Sequence, residues 1–342
     1  MLETPIATAT LPSSLGDTWL QEARTIRAEI WKHLPAWLFL FYGWALLNAF
    51  LTNLDPPRPD LAFTAAGPLA VFTAYYCVRA IRAEDVRRRG RMLAAAMTLA
   101  VGLPVATLLW HRPYPISSEH LRDIYEATNF LWVALAIFHA TRTSLERALL
   151  FFGVGLFYGA LLENGGIMLG YFRETHLRAK LPPLVAPVST MIGWSLVIYM
   201  AFFVVYGLRQ WLPTLKRSPL LSGMVVAVVA TLLDIELDPL ATAIRCWEWD
   251  PSLPPALGPV PFVNFVAWVS ALVPFGWAVF RYQDHVGLED HTPWPTRHLV
   301  RGTLGAPLVL CLAACVFLTL ITVAEGPGGP SWGVLLRGLH VR

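Results

Sequence analysis

Nine stretches of this 342-residue chain are each apolar over enough residues to cross a bilayer, and that succession limits the fold more than any other feature. The hydrocarbon core is ~30 Å thick, which takes about 20 helical residues to span. Inside it every backbone N–H and C=O must be bonded within its own segment, so isolated apolar stretches of this length form helices. They run near 36–54, 61–81, 92–111, 127–141, 147–170, 184–208, 219–239, 261–281 and 303–324. Composition agrees, with 56% hydrophobic and only 14% charged residues, against about a quarter charged in soluble domains. The chain therefore reads as an all-α integral membrane protein of about nine transmembrane helices.

The polar segments organise the rest. Residues 15–34 place Trp19, Ala23, Ile26, Ile30 and Leu34 at helical spacing with charges on the other faces, the pattern of an amphipathic helix lying in the membrane interface. The charges of the first 34 residues leave no apolar core for a cleavable signal peptide. With the N-terminus inside, the inner segments hold 17 Lys and Arg and the outer ones 9, mostly through RAIRAEDVRRRGR. That bias predicts a cytoplasmic N-terminus. Residues 326–330, GPGGP, end the last helix and release a polar tail. The expected units are 1–34, a tail and interfacial helix; 35–145, N-terminal spans; 146–302, a core; and 303–342, the last span and tail. A net charge of +3 without a basic stripe gives no nucleic-acid surface. Cys77, Cys311 and Cys315 fall in apolar spans and Cys246 has no metal spacing, so all four read as small apolar residues.

The core contains an internal repeat. Residues 161–194 and 232–268 both run Leu-Leu-carboxylate, a loop with Leu-Pro-Pro, then Pro-x-x-(Thr or Asn)-x-x-x-Trp. Glu163 pairs with Asp234, Pro187 with Pro261, Thr190 with Asn264 and Trp194 with Trp268; the offset is 71 at the carboxylates and 74 at the prolines and tryptophans. Two helical hairpins in one orientation, an internal parallel repeat, produce this pattern.

The repeat sets both carboxylates roughly 22–24 Å along their helices, a turn or two under the far interface. Thr190 and Asn264 descend ~5 Å from that interface, and Trp194 and Trp268 about one turn further. A carboxylate within a span costs roughly 2.5–3.5 kcal/mol, so each needs a polar partner or cavity, and two at one depth point to a shared pocket. Asp234 and Asp238 share a helical face while Glu236 points nearly opposite. Pro239 biases Asp238 out of the helix and toward the rim, and Trp247 and Trp249 follow in the loop as a lid. Ordinary structural readings stand beside these: interfacial belt tryptophans, interhelical hydrogen bonds for Glu163, Asp234 and Asn264, and prolines favoured at helix starts.

Several chemistries lack their residues. The nine histidines form no HxxxH or HxxHH box, as a membrane di-iron oxygenase needs. No P-loop or nucleotide fingerprint occurs, nor a nucleophile elbow. DIELD (234–238) resembles half of a diphosphate–magnesium site, but the partner repeat offers only Glu163–Asn164 with glycines. No metal and no cofactor is therefore expected. Acid–base work by carboxylates in a low-dielectric site remains. It suits protonation of an electron-rich alkene, with indole faces beside the resulting cation and water activated by the second carboxylate.

Asp-x3-Asp-Pro-x7-Trp-x-Trp, at Asp234, Asp238, Pro239, Trp247 and Trp249, precedes Gly-Pro-Val-Pro-x-x-Asn-Phe-x-x-Trp at 258–268. Together these resemble the bacterial and archaeal carotenoid biosynthesis family, whose characterised members are carotenoid 1',2'-hydratases acting on gamma-carotene or bisanhydrobacterioruberin. Glu163, Gly166, Gly170, Pro187 and Trp194 resemble that family's first hairpin. The resemblance implies cofactor-free addition of water across the terminal double bond of an acyclic carotenoid end, giving a tertiary alcohol. Carried over, Asp234 and Asp238 match the paired aspartates, Asn264 the asparagine and Glu163 the acidic residue. Our assignment is Asp234 as proton donor, Glu163 as water-activating base, and Asp238 and Asn264 as orienting groups; donor and base are exchangeable at this level. Thr190, Trp194, Trp247, Trp249 and Trp268 are expected to bind substrate. Expected partners are the long isoprenoid, membrane lipids and other carotenoid-pathway enzymes. The chain departs from the family at Arg245, near a usual glycine, at Ala267, and in the loop GYFRETH (170–176). The alternatives are a proton-initiated cyclase or isomerase of a membrane isoprenoid, and a non-catalytic carotenoid- or lipid-binding protein.

Overall fold

The computed structural model describes residues 117–174 and 176–288, together with isolated positions between Leu20 and Phe39 and at Val71, Ala74, Leu320 and Val323. The spans expected at 36–54, 61–81, 92–111 and 303–324 and the tail with GPGGP lie almost wholly outside the described residues, as do Trp19, Ala23, Ile26 and Ile30 of the interfacial helix. The described positions from Leu20 to Phe39 are helical, and Leu38 and Phe39 are buried in the core.

Among the described residues, four helical runs are long and apolar enough to cross a membrane: Leu145–Leu169, Val188–Trp211, Pro219–Ala243 and Phe262–His285. At 24 or 25 residues each they span about 36 Å, sufficient for the hydrocarbon core with some tilt. In chain order the elements are α1 (Ser118–Thr143), α2 (Leu145–Ala148), a π-helical stretch (Leu149–Val154), α3 (Gly155–Leu169), β1 (Phe172–Arg173), α4 (Val188–Trp211), α5 (Pro213–Arg217), α6 (Pro219–Ala243), β2 (Glu248–Trp249), β3 (Pro255–Leu257), β4 (Val260–Pro261) and α7 (Phe262–His285). The helical runs match the expected 147–170, 184–208, 219–239 and 261–281 within a few residues.

Three differences have physical causes. The span expected at 127–141 is the longer helix α1, which takes RDIYEATN into its first half behind an N-cap hydroxyl at Ser117. Its polar residues are absorbed by the protein: Glu126 accepts from the Arg178 and Ala179 backbone N–H groups at 2.9 and 3.2 Å and from Ser189 Oγ at 2.8 Å. Second, α6 continues four residues past Pro239. Proline removes only one ladder bond there, and the packed face of α6 against α7 holds the helix on. Third, the chain is mostly helical rather than strictly all-α, because its loops pair as two short antiparallel ribbons, β1 with β2 and β3 with β4.

Helix α4 is buried nearly all round, and the other long helices pack about it. Glycine permits the closest crossings. A Cβ on Gly159 would lie 2.8 Å from Trp194 Cβ, and one on Gly276 2.7 Å from Gly223 Cα. At the end away from the loops, buried Arg209 pairs with Asp284 at 2.7 Å, bonds Ser222 Oγ at 3.1 Å and lies over the Phe280 ring. At the other end, α3 and α6 stop in the same way. Gly170 and Arg245 both take left-handed φ, +87° and +59°. Each is followed by a residue whose N–H reaches back five positions, Tyr171 to Gly166 at 3.0 Å and Cys246 to Ala241 at 2.7 Å. This is the Schellman arrangement. The chain then turns into β1 and β2, which tie the two loops together through Phe172 opposite Trp249 and Arg173 opposite Glu248.

Candidate active site

Beneath the joined loops lies a cavity enclosing about 1000 Å³ of empty space, its mouth included. All nine residues expected at the site line it: Glu163, Thr190, Trp194, Asp234, Asp238, Trp247, Trp249, Asn264 and Trp268. Residues from four long helices and one loop therefore converge although they are spread over more than a hundred positions of sequence.

Helix α7 begins at Phe262 behind Pro261, so Asn264 sits in its first turn and faces α6. Its amide Nδ2 donates to Asp234 Oδ2 at 2.6 Å and to Asp238 Oδ2 at 2.7 Å. Both neighbours are acceptors, so the NH2 side of the amide has to face them. The i, i+4 spacing on α6 puts the two carboxyls within reach of one amide. Asp238 Oδ1 receives the indole N–H of Trp247, that of Trp249 at 3.3 Å, and Thr242 Oγ1 at 3.4 Å. Trp268 is a further hydrogen-bond partner of Asp234. Asp238, expected at the rim because of Pro239, is instead 1% exposed; with α6 running through Pro239, its side chain stays on the packed face. The Glu236 side chain lies outside the described residues.

On the first hairpin, Trp194 Nε1 donates to Glu163 Oε1. Trp194 and Trp268 stack, with centroids 4.1 Å apart and planes 19° off parallel. The stacked pair forms a wall of the cavity with a carboxylate at each indole N–H, Glu163 on one and Asp234 on the other. These tryptophans, read equally as interfacial belt residues, are 8% and 7% exposed. Trp247 and Trp249 come over from the second loop, Trp249 edge-on to Phe172 at 5.1 Å.

Sequence reasoning missed part of the lining. Tyr125 and Asn129 arrive from α1, and Tyr171 and Phe172 from the first loop. Glu174 is the notable omission. It lines the cavity and is 4% exposed, with Oε2 3.2 Å from Thr190 Oγ1 and its carbonyl accepting from Lys180 Nζ at 2.8 Å. Burial, and then the neighbouring Glu163 charge, hold its carboxyl well above the ordinary carboxylate range. Loop residues follow no period, so the one available signal was a lone Glu inside GYFRETH close to the helix that carries Glu163.

Among the described residues, no group of three His, Cys, Asp or Glu side chains is arranged to hold a metal ion. The arrangement offers carboxyls as proton donors and acceptors, N–H groups that fix them, and indole faces beside an apolar space.

No curated protein and no solved structure matches the chain. A family model described as carotenoid biosynthesis protein matches residues 127–336, more than half of the chain and all of the cavity lining but Tyr125. The chain belongs to the carotenoid biosynthesis protein family.

Proposed function

We propose that the chain is a carotenoid hydratase, adding water to the terminal double bond of an acyclic carotenoid end to give a tertiary alcohol. Family membership supports an isoprenoid substrate. The observation that carries the hydration reading is the pair of carboxylates, Glu163 and Asp234, set at the two indole N–H groups of one stacked tryptophan wall. An alkene end lying against that wall has an acid at one edge and a base at the other.

The assignment of donor follows from the hydrogen bonds. Asp238 accepts from Trp247, Trp249, Thr242 and Asn264, and so many donors favour its anion. Asp234, with fewer, is the member of the pair left to hold the proton that their close approach requires. It protonates the CH carbon of the terminal alkene, forming the C–H bond and leaving a tertiary cation beside the indole faces. Water then forms the C–O bond and passes a proton to Glu163, and that proton returns to Asp234 across the cavity. The sum is one water added, with no redox change. In this reading 146–302 is the catalytic core, a repeat of two hairpins, within a nine-span protein of the bacterial inner membrane whose N-terminus is cytoplasmic.

The test is liquid chromatography–mass spectrometry of pigments from a host making lycopene and gamma-carotene and expressing the chain or its Asp234→Asn variant. A pigment heavier by one water, absent with the variant, is expected. A new pigment of unchanged mass would instead favour the cyclase or isomerase. No new pigment from well-expressed protein would favour the non-catalytic binder.

A further inference from the structure

The cavity's carboxyl groups differ in what occupies their oxygens. Asp234 and Asp238 are engaged by Asn264, and Asp238 by two indoles as well. On the other side, Glu163 uses Oε1 for Trp194 and Glu174 uses Oε2 for Thr190, while their remaining oxygens make no hydrogen bond among the described residues. Glu163 and Glu174 are electrostatic neighbours lining the same space. Two unengaged carboxyl oxygens of adjacent groups are what a bound water needs as acceptors.

Thr190 sharpens the picture. Its hydroxyl has one proton and two oxygens near it, Pro187 O at 2.9 Å and Glu174 Oε2 at 3.2 Å. With the proton given to the closer carbonyl, the Glu174 contact is a hydrogen bond only if Glu174 itself carries a proton and donates it to Thr190. Burial, and then the neighbouring Glu163 charge, favour that neutral form. Its Oε1 is then a carbonyl oxygen, an acceptor without charge.

We infer that Glu174 is a water-positioning residue: its Oε1 and Glu163 Oε2 accept the two protons of one water, whose oxygen lone pair is thereby turned toward the substrate. Glu163 takes the proton; Glu174 holds the geometry and transfers none. This rests on the hydration reading and assigns the step that separates hydration from isomerisation. With the water in place the tertiary cation forms a C–O bond. Without it, the cation gives a proton back to Glu163 and returns to an alkene.

The experiment assays the full chain, reconstituted with an acyclic carotenoid in deuterated water, and follows both alcohol formation and deuterium in the recovered alkene. Wild type is expected to make alcohol. Glu174→Leu removes the acceptor and is expected to lower alcohol formation roughly 100-fold, as misplacement of a reactant does, while deuterium still enters the recovered alkene. Glu174→Gln keeps a carbonyl acceptor and can donate to Thr190 through its NH2, so its hydration rate should stay within about fivefold of wild type, the equivalent of ~1 kcal/mol. A Leu variant that loses alcohol and exchange together, or keeps both, overturns the inference while leaving the hydration reading intact. A Gln variant as impaired as Leu also overturns it, because Glu174 would then act through its own proton. Wild type that exchanges deuterium without making alcohol, or does neither, removes the hydration reading and this inference with it.

Discussion

Replacing Asn264 by leucine keeps the side chain's shape and deletes the amide that ties α7 to both aspartates of α6. Interhelical hydrogen bonds in membranes average only ~0.6 kcal/mol, but a bond to a charged acceptor, as Asp238 is in the proposed mechanism, is worth roughly 1.5–3 kcal/mol, and one to a neutral acid such as protonated Asp234 roughly 0.5–1.5 kcal/mol. Asn264 makes two, at 2.6 and 2.7 Å, and is 7% exposed, so water cannot readily replace it. The two losses differ. Asp238 keeps Trp247, Trp249 and Thr242, whereas Asp234 keeps Trp268 and faces an apolar group where its amide was. The cost therefore falls mainly on Asp234, and about 2–4 kcal/mol of destabilisation is expected. A double-mutant cycle with Asp234→Leu, which leaves no acceptor, by equilibrium unfolding in a mild detergent, isolates the interaction. The expected coupling is ~0.5–1.5 kcal/mol, with hydration lower by about 100-fold in Asn264→Leu, the activity equivalent of ~2.7 kcal/mol. A coupling below ~0.5 kcal/mol, the usual additivity error, would refute the assignment of this amide as the link between α7 and the aspartate pair.

Two further outcomes are expected. Arg245 is exposed at left-handed φ, a conformation costing a non-glycine residue roughly 1–2 kcal/mol; Arg245→Gly should raise stability by about 0.5–1 kcal/mol after the extra unfolded-state entropy of glycine, and a loss of stability in unfolding experiments would contradict the cap assignment. Burial holds the folded Glu174 carboxyl above its unfolded value, so its contribution is fully present below the ordinary glutamate value and is lost as pH rises above it, by up to ~1.4 kcal/mol per pH unit. Glu174→Gln should therefore gain stability relative to wild type as pH increases across that window, and a flat difference in unfolding free energy from acid to neutral pH would count against burial of a neutral acid.

The helices were legible because apolar runs set their length and the bilayer sets the threshold; four observed runs match expected spans within a few residues. Glu163, Asp234 and Asn264 were legible because a polar group in an apolar run needs a partner. What failed was local. Pro239 was weighed by propensity alone, and packing of α6 against α7 outweighed one missing ladder bond. The polar first half of α1 falls outside the span expected at 127–141, because the partners that absorb Glu126, the Arg178 and Ala179 backbone and Ser189, are more than fifty residues away. Glu174 sits in a loop without period, and its role as cavity lining depends on the β1–β2 pairing that folds two distant loops together.

The caps also bear on the uneven offset of the proposed repeat, 71 at the carboxylates and 74 at the prolines and tryptophans. Counted back from the left-handed residues, Glu163 stands seven before Gly170 and Asp238 seven before Arg245. Counted from these caps, Asp238 takes the position of Glu163, and each of the two accepts an indole N–H. Asp234 then falls opposite Gly159, where α3 has no side chain because Trp194 packs against its backbone. The third residue of each following helix serves the remaining acid. Thr190 contacts Glu174 from the loop, and Asn264 reaches Asp234 one turn down α6. The difference follows from side-chain length and chemistry. A hydroxyl close to the backbone serves one neighbour near the helix start, whereas an amide reaches across and donates twice. Each hairpin so contributes one carboxyl fixed by an indole and one fixed by the start of its second helix. Thr190 in place of an amide leaves acceptor oxygens open on the first side, where the proposed water sits, whereas Asn264 fills them on the second, beside the proposed proton donor.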